Sequence, residues 1–175
     1  NTSEAPTATP RVITFVASDG ASASNVGTAT VTVNAVNDDP VATITAASYT
    51  ATENVALDLH GTGLAVSDID ALATSVVTVY LDSISGLLSA TAGTTGVTIA
   101  GSGSPSLTFT GAMTQINSLL AGSGGATVAY LVGSDSPAPT DTLSLAINEL
   151  AGEEIALAHG FPIAPRRLVH HVQLR

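Results

Sequence analysis

The chain has 175 residues with no Cys, no Trp and no Lys, and its formal charge is −10. That length fits one ordinary domain, or one plus a fragment, and it buries a core without disulfide staples. Acids outnumber bases 14 to 4, which argues against nucleic acid and anionic membranes as partners, and no run of about 18 apolar residues offers a membrane span.

Thr, Val, Ala, Gly and Ser dominate, and short alternating runs recur between Gly, Asn, Asp and Pro. In chain order they are Val12–Val16, Ala29–Val33, Val41–Ile44, Val55–Leu59, Val76–Leu81, Leu87–Thr91, Val97–Ile99, Leu107–Phe109, Val128–Val132 and Leu143–Ile147. Period-2 alternation of β-branched residues, punctuated by turns, predicts an all-β sandwich. One segment departs from it. Met113, Ile116 and Leu120 recur at spacings of 3 and 4, which predicts a single helical turn lidding the sandwich and stopped by Gly122.

Charge is distributed unevenly. All acids lie between Glu4 and Glu154, and that stretch holds one base, Arg11; the sequence beyond it carries Arg166, Arg167 and Arg175 and no acid. Residues 150–175 also lack the sandwich pattern, so they are read as an atypical tail outside the fold. The rest partly repeats itself. Thr14-Phe15-Val16-Ala17-Ser18-Asp19-Gly20 aligns with Tyr130-Leu131-Val132-Gly133-Ser134-Asp135-Ser136, and Thr30-Val31-Thr32-Val33 aligns with Thr142-Leu143-Ser144-Leu145. Residues 1–36 then read as the last two strands of one module, 37–40 as a linker and 41–149 as a complete module of the usual ~100-residue sandwich size.

These residues resemble the bacterial cadherin-like repeats of large, RTX-type secreted, calcium-dependent adhesins. The likeness rests on Ala17-Ser18-Asp19-Gly20, on Val36-Asn37-Asp38-Asp39-Pro40, on the opening Thr52-Glu53-Asn54 and on the D-x-D of Asp68-Ile69-Asp70. It extends to Leu107-Thr108-Phe109-Thr110-Gly111 followed by Gln115-Ile116-Asn117-Ser118-Leu119-Leu120. Asp39 stands where the bacterial form usually has a small residue, the D-R-E element of animal cadherins is not visible, and the nonapeptide of the calcium β-roll is absent. The resemblance implies a Greek-key cadherin/Ig-like β-sandwich, preceded by a two-stranded piece of the previous repeat.

It also implies a Ca²⁺ site built from Asn37, Asp38 and Asp39 in the linker with Asp68, Asp70 and Asp135 at the near end of the complete module. Glu53 and Glu149 are assigned to the far end, and Asp19 to the site of the first fragment. Ca²⁺ takes 6–8 oxygen ligands, and two bare carboxylates about 5 Å apart at an effective dielectric of ~20 repel by about 3 kcal/mol. Asp and Asn also form turns for purely local reasons. The function implied is a secreted or cell-surface spacer in a bacterial adhesin, with neighbouring repeats as partners. A carbohydrate- or protein-binding sandwich, meeting a cell-surface glycan or protein, is the alternative, as is an accessory domain of a secreted hydrolase. No G-x-S-x-G, H-E-x-x-H or P-loop occurs, so the chain is read as no enzyme. His60, at a strand end, is read as structural, and His159, His170 and His171 lie in the tail.

Overall fold

The computed structural model describes residues 6–7, 9–133, 138–149 and 167–174. The chain divides into two units, Asn1–Asp38 and Asp39–Arg175. In the first, β1 (Arg11–Phe15) and β2 (Gly27–Val31) pair antiparallel, Arg11 opposite Val31 and Phe15 opposite Gly27. Val12, Ile13, Phe15 and Val31 are all exposed, and no described residue of this unit is buried. Two strands alone have no second layer against which to bury a face.

The second unit is an all-β sandwich. Its strands are β3 (Val41–Ile44), β4 (Ser48–Tyr49), β5 (Leu57–Asp58), β6 (Leu64–Ser67), β7 (Val76–Ser83), β8 (Leu87–Thr91), β9 (Thr98–Ala100), β10 (Ser106–Ala112), β11 (Thr127–Leu131), β12 (Asp141–Glu149) and β13 (Arg167–Leu174). A six-stranded sheet runs in the order β4-β13-β12-β7-β10-β9; a three-stranded sheet runs β5-β11-β8; β3 and β6 form a separate ribbon. Alternation does the sorting. Val77, Val79 and Leu81 of β7, Leu107 and Phe109 of β10, and Leu143, Leu145 and Ile147 of β12 carry the buried face of the large sheet. Leu59, Leu88, Val128 and Tyr130 join the same core from the small sheet and its approach, and Ile44, Leu64 and Val66 join it from the ribbon. The free edge of β8 is covered by the loop ahead of β10: Leu88 N–H donates to Ser104 O at 2.8 Å, Gly103 N–H to Leu88 O at 2.8 Å, and Ala90 N–H to Ser102 Oγ at 3.1 Å. An edge so covered offers no template for another chain.

The expected helical turn is present as α1 (Met113–Leu120), burying Met113, Ile116, Leu119 and Leu120. Its first turn lacks a Ser, Thr or Asp cap; instead Gln115 Oε1 reaches back to accept the Ala112 N–H at 2.9 Å. Gly122 ends it in the left-handed region (φ 76°), with its N–H on Leu119 O at 3.0 Å. Eight residues are too few for a stable free helix, so packing holds it. Asn117 makes the most specific tie. Its Oδ1 accepts the Val66 N–H at 2.9 Å and its Nδ2 donates to Val66 O at 2.8 Å. Asn117→Ala strands both main-chain groups of a β6 residue. The expected loss is about 1–3 kcal/mol, read from urea unfolding.

Two expectations change. The sequence reads residues 150–175 as outside the fold, yet Arg167–Leu174 form β13, which pairs antiparallel with β12 and parallel with β4. In the sequence, His170 interrupts the alternation of Leu168, Val172 and Leu174, which hides the period. The repeat also shifts. β11 and β12 lie in different sheets, whereas β1 and β2 pair with each other.

Candidate metal centre

The strand β7 sets the geometry of the acidic residues. At one end Val76 lies opposite Ala112 and Val77 opposite Glu149; at the other Ser83 lies opposite Leu143. Eight extended residues separate those ends by about 23 Å. The loop carrying Asp68 and Asp70 leads directly into the Val76 end. Hydrogen bonds from Met113 N–H to Ser75 O and from Thr114 N–H to Ala73 O, both 3.1 Å, fasten that loop to α1. In the ribbon Val41 lies opposite Ser67, so Asp39, two residues earlier, leaves β3 on the side where Asp68 leaves β6.

Asp68 and Asp70 are half-buried, and Asp68 Oδ2 and Asp70 Oδ1 are shielded from solvent. Asp68 Oδ1 accepts the N–H groups of Asp70 and Ala71, each at 3.1 Å. That closes a local turn and fixes the carboxylate. Asp19 does the same in the first unit, where its Oδ1 accepts Ala21 N–H at 2.9 Å and Ser22 N–H at 2.8 Å. The Ser22 and then the Ala21 N–H hold its carboxyl below the ordinary value. Asn37 Nδ2 donates to Asp38 O at 2.9 Å. Asn37 and Asp38 belong to the first unit and Asp39 to the second.

The other predicted ligands fall differently. Asp135 lies outside the described residues. At the end of the sandwich opposite the Asp68 loop, Leu131 pairs with Leu87 and Asp141 bonds the turn ahead of Leu87. Glu53 is at that same end, in a turn anchored by Asn54 N–H on Val132 O at 2.9 Å. Asn54 itself is left-handed (φ 58°), a conformation Asn tolerates. Glu149, assigned to the far end, instead pairs with Val77 at the Asp68 end. The reason is directional: β11 runs away from the Asp68 loop and β12 returns to it. Among the described residues no three His, Asp or Glu side chains come close enough together to hold a metal ion unaided.

A carboxylate that sequence reasoning passed over ties distant parts of the sandwich together. Asp141, 8% exposed, accepts the N–H groups of Ile84 at 3.0 Å, Ser85 at 3.2 Å, Gly86 at 2.9 Å and Thr142 at 2.7 Å, and the Tyr130 hydroxyl at 2.8 Å. It therefore joins the start of β12, the middle of β11 and the turn that carries the chain from β7 to β8. Burial pushes its carboxyl up, but the Gly86 N–H, the Tyr130 hydroxyl and the Thr142 and Ser85 N–H groups outweigh that and hold it below the ordinary value. Burial, then the bond to Asp141 and its charge, raise the Tyr130 phenol well above its usual range. No local pattern announces Asp141; its partners in the turn are 55–57 residues away.

His60 lies half-buried, its Nδ1 3.3 Å from the Val128 nitrogen and 3.2 Å from the Val128 oxygen. Thr62, in the neighbouring Gly61-Thr62-Gly63 turn, bonds the Tyr49 hydroxyl at 2.9 Å and the Leu59 carbonyl. Among the described residues no helix is long and apolar enough to cross a membrane. Fold and site together define an all-β sandwich protein with two half-buried carboxylates, Asp68 and Asp70, on the loop after β6. No protein-family model matches the chain, and no curated protein is measurably similar to it.

Proposed function

We propose that the chain is a cadherin-like spacer segment of a bacterial surface adhesin, stiffened by Ca²⁺ at the end of the sandwich that carries Asp39, Asp68 and Asp70. The observation that supports this reading is the pair of half-buried carboxylates on the loop after β6, each with an oxygen shielded from water, on the side where Asp39 enters the unit. The donor set is all oxygen, which suits a hard cation. Asp68 and Asp70 would hold it, and Asp39, which the structure leaves outside a three-carboxylate cluster among the described residues, would have to be drawn in by the ion. Backbone carbonyls and water would complete the 6–8 ligands that Ca²⁺ takes, and Glu149 arrives at the same end through β12. When bound, the ion supplies neutralisation of like charges. The protein's own part is to fix the Asp68 carboxylate through the Asp70 and Ala71 N–H groups.

Thermal unfolding with Ca²⁺ and with chelator tests the reading. At a hundredfold excess over Kd the ion adds about 2.7 kcal/mol, a rise of several degrees in melting temperature. Asp68→Asn combined with Asp70→Asn is expected to abolish that rise. Equal melting in Ca²⁺ and chelator would refute the cation mechanism.

A further inference from the structure

A groove of about 290 Å³ lies outside the acidic loop, between the β8–β9 connection, one face of α1 and the short helical turn at Ser123–Gly125. Thr94, Thr95, Thr114, Gln115, Ser118 and Ser123 line it. We propose that this groove binds a neutral, polyhydroxylated ligand, one or two rings of a glycan.

The argument is one of hydrogen-bond inventory. No lining group carries charge, so nothing in the groove offsets the desolvation of a charged ligand, and none is aromatic, so no ring stacks against an apolar one. Three hydroxyls already spend their hydrogen on the backbone: Thr95 on Ala92 O at 2.7 Å, Ser118 on Thr114 O at 2.8 Å and Thr94 on Gly124 O at 3.4 Å. Each oxygen keeps acceptor capacity, although Thr95 Oγ1 already accepts the Val97 N–H at 3.5 Å. Gln115 is oriented the opposite way. Its Oε1 is taken by the Ala112 N–H, which leaves the Nε2 hydrogens as donors. A ligand must therefore donate at several points and accept at another, all within a small volume. An alcohol does both with one group, and adjacent hydroxyls on a sugar ring repeat the pair.

The walls are set before any ligand arrives. Thr94 N–H bonds Gly124 O at 3.0 Å, joining the two loops. Gly93 (φ 54°) brings them so close that a Cβ there would meet Gly124 O at 2.3 Å. Such preorganisation lowers the ordering cost of binding. The volume is at the small end for ligand pockets and there is no stacking surface, so the expected affinity is millimolar. Repetition of the groove along tandem modules would convert that into avidity, though the proposal does not depend on the cation reading.

The test is amide NMR of the whole chain titrated with maltose, cellobiose and lactose, with glucose 6-phosphate as the charged comparison, in Ca²⁺ and again in chelator. The expected result is saturable shifts for at least one neutral disaccharide, confined to residues 93–96, 114–118 and 122–125. Thr94→Val with Ser118→Ala is expected to weaken them at least fivefold while melting stays unchanged. No saturable shift with any neutral sugar, stronger binding of the phosphorylated one, or shifts unaltered in the variant would each overturn the assignment.

Discussion

Replacing Asp141 with Ala is expected to cost about 3–5 kcal/mol, because four main-chain N–H groups and one phenol lose a buried anionic acceptor together. Against a typical total stability of about 5–15 kcal/mol, that leaves the sandwich near its limit at 37 °C. Asp141→Asn keeps the shape and one oxygen, but it aims an N–H₂ at donors and removes the charge. It should fall between Ala and the parent in urea unfolding, with an unchanged slope. The pH dependence has a definite sign. A carboxyl held below its ordinary value in the folded state takes up protons more readily when unfolded, so its contribution is complete above the unfolded value of about 3.9. It disappears as pH falls through the lower, folded value. Tyr130 acts at the other extreme. Its phenol is raised, so the neutral form favours folding below about pH 10, and that contribution fades as the pH climbs through the folded value. Acid unfolding followed by circular dichroism should show a shallower acid limb in Asp141→Asn than in the parent. Superimposable limbs would remove Asp141 as the acid-sensitive group.

Phe109→Ala should cost a similar amount, for a different reason. Phe109 is fully buried in β10, opposite Val79 on one side and Ile99 on the other. Truncating it opens a cavity that flanking strands cannot collapse into, and such changes cost about 3–5 kcal/mol. Phe15 is the control within the same chain. It is 65% exposed, and Phe15→Ala should shift the unfolding of the sandwich by less than about 0.5 kcal/mol. Urea melts of both variants, with signal taken from the second unit, test the contrast. Equal losses would show that the first unit contributes to the stability of the second.

Most strands were legible because each has one wet and one dry face. Val77, Val79 and Leu81, or Leu143, Leu145 and Ile147, write that difference directly into the sequence, and Met113, Ile116 and Leu120 do the same for α1. Strands failed to show where the alternation is diluted or short. β4 has two residues, and β13 is broken by His and Arg. The repeat does not carry over into pairing, since Thr/Val runs resemble each other whichever strand they form. Pairing partners, which distinguish β11 from β12, are not a local property. The acidic end was half legible. Asp39, Asp68 and Asp70 belong to the same end of the sandwich, since one ribbon connects their strands. The assignment of Glu149 depended on which way β12 runs. Asp141 was invisible for the same reason: an Asp between two Thr residues reads as a turn former until a distant turn is folded against it.

The parallel contact between β4 and β13 has a mechanical consequence. Gln173 and Leu174 sit beside Ser48 and Tyr49, and the two strands point the same way. Tension applied to the chain upstream of β4 and downstream of β13 would slide them along their length. The load then falls on all their cross-links at once, as shear, where a hairpin pulled open from its two ends gives way one bond at a time.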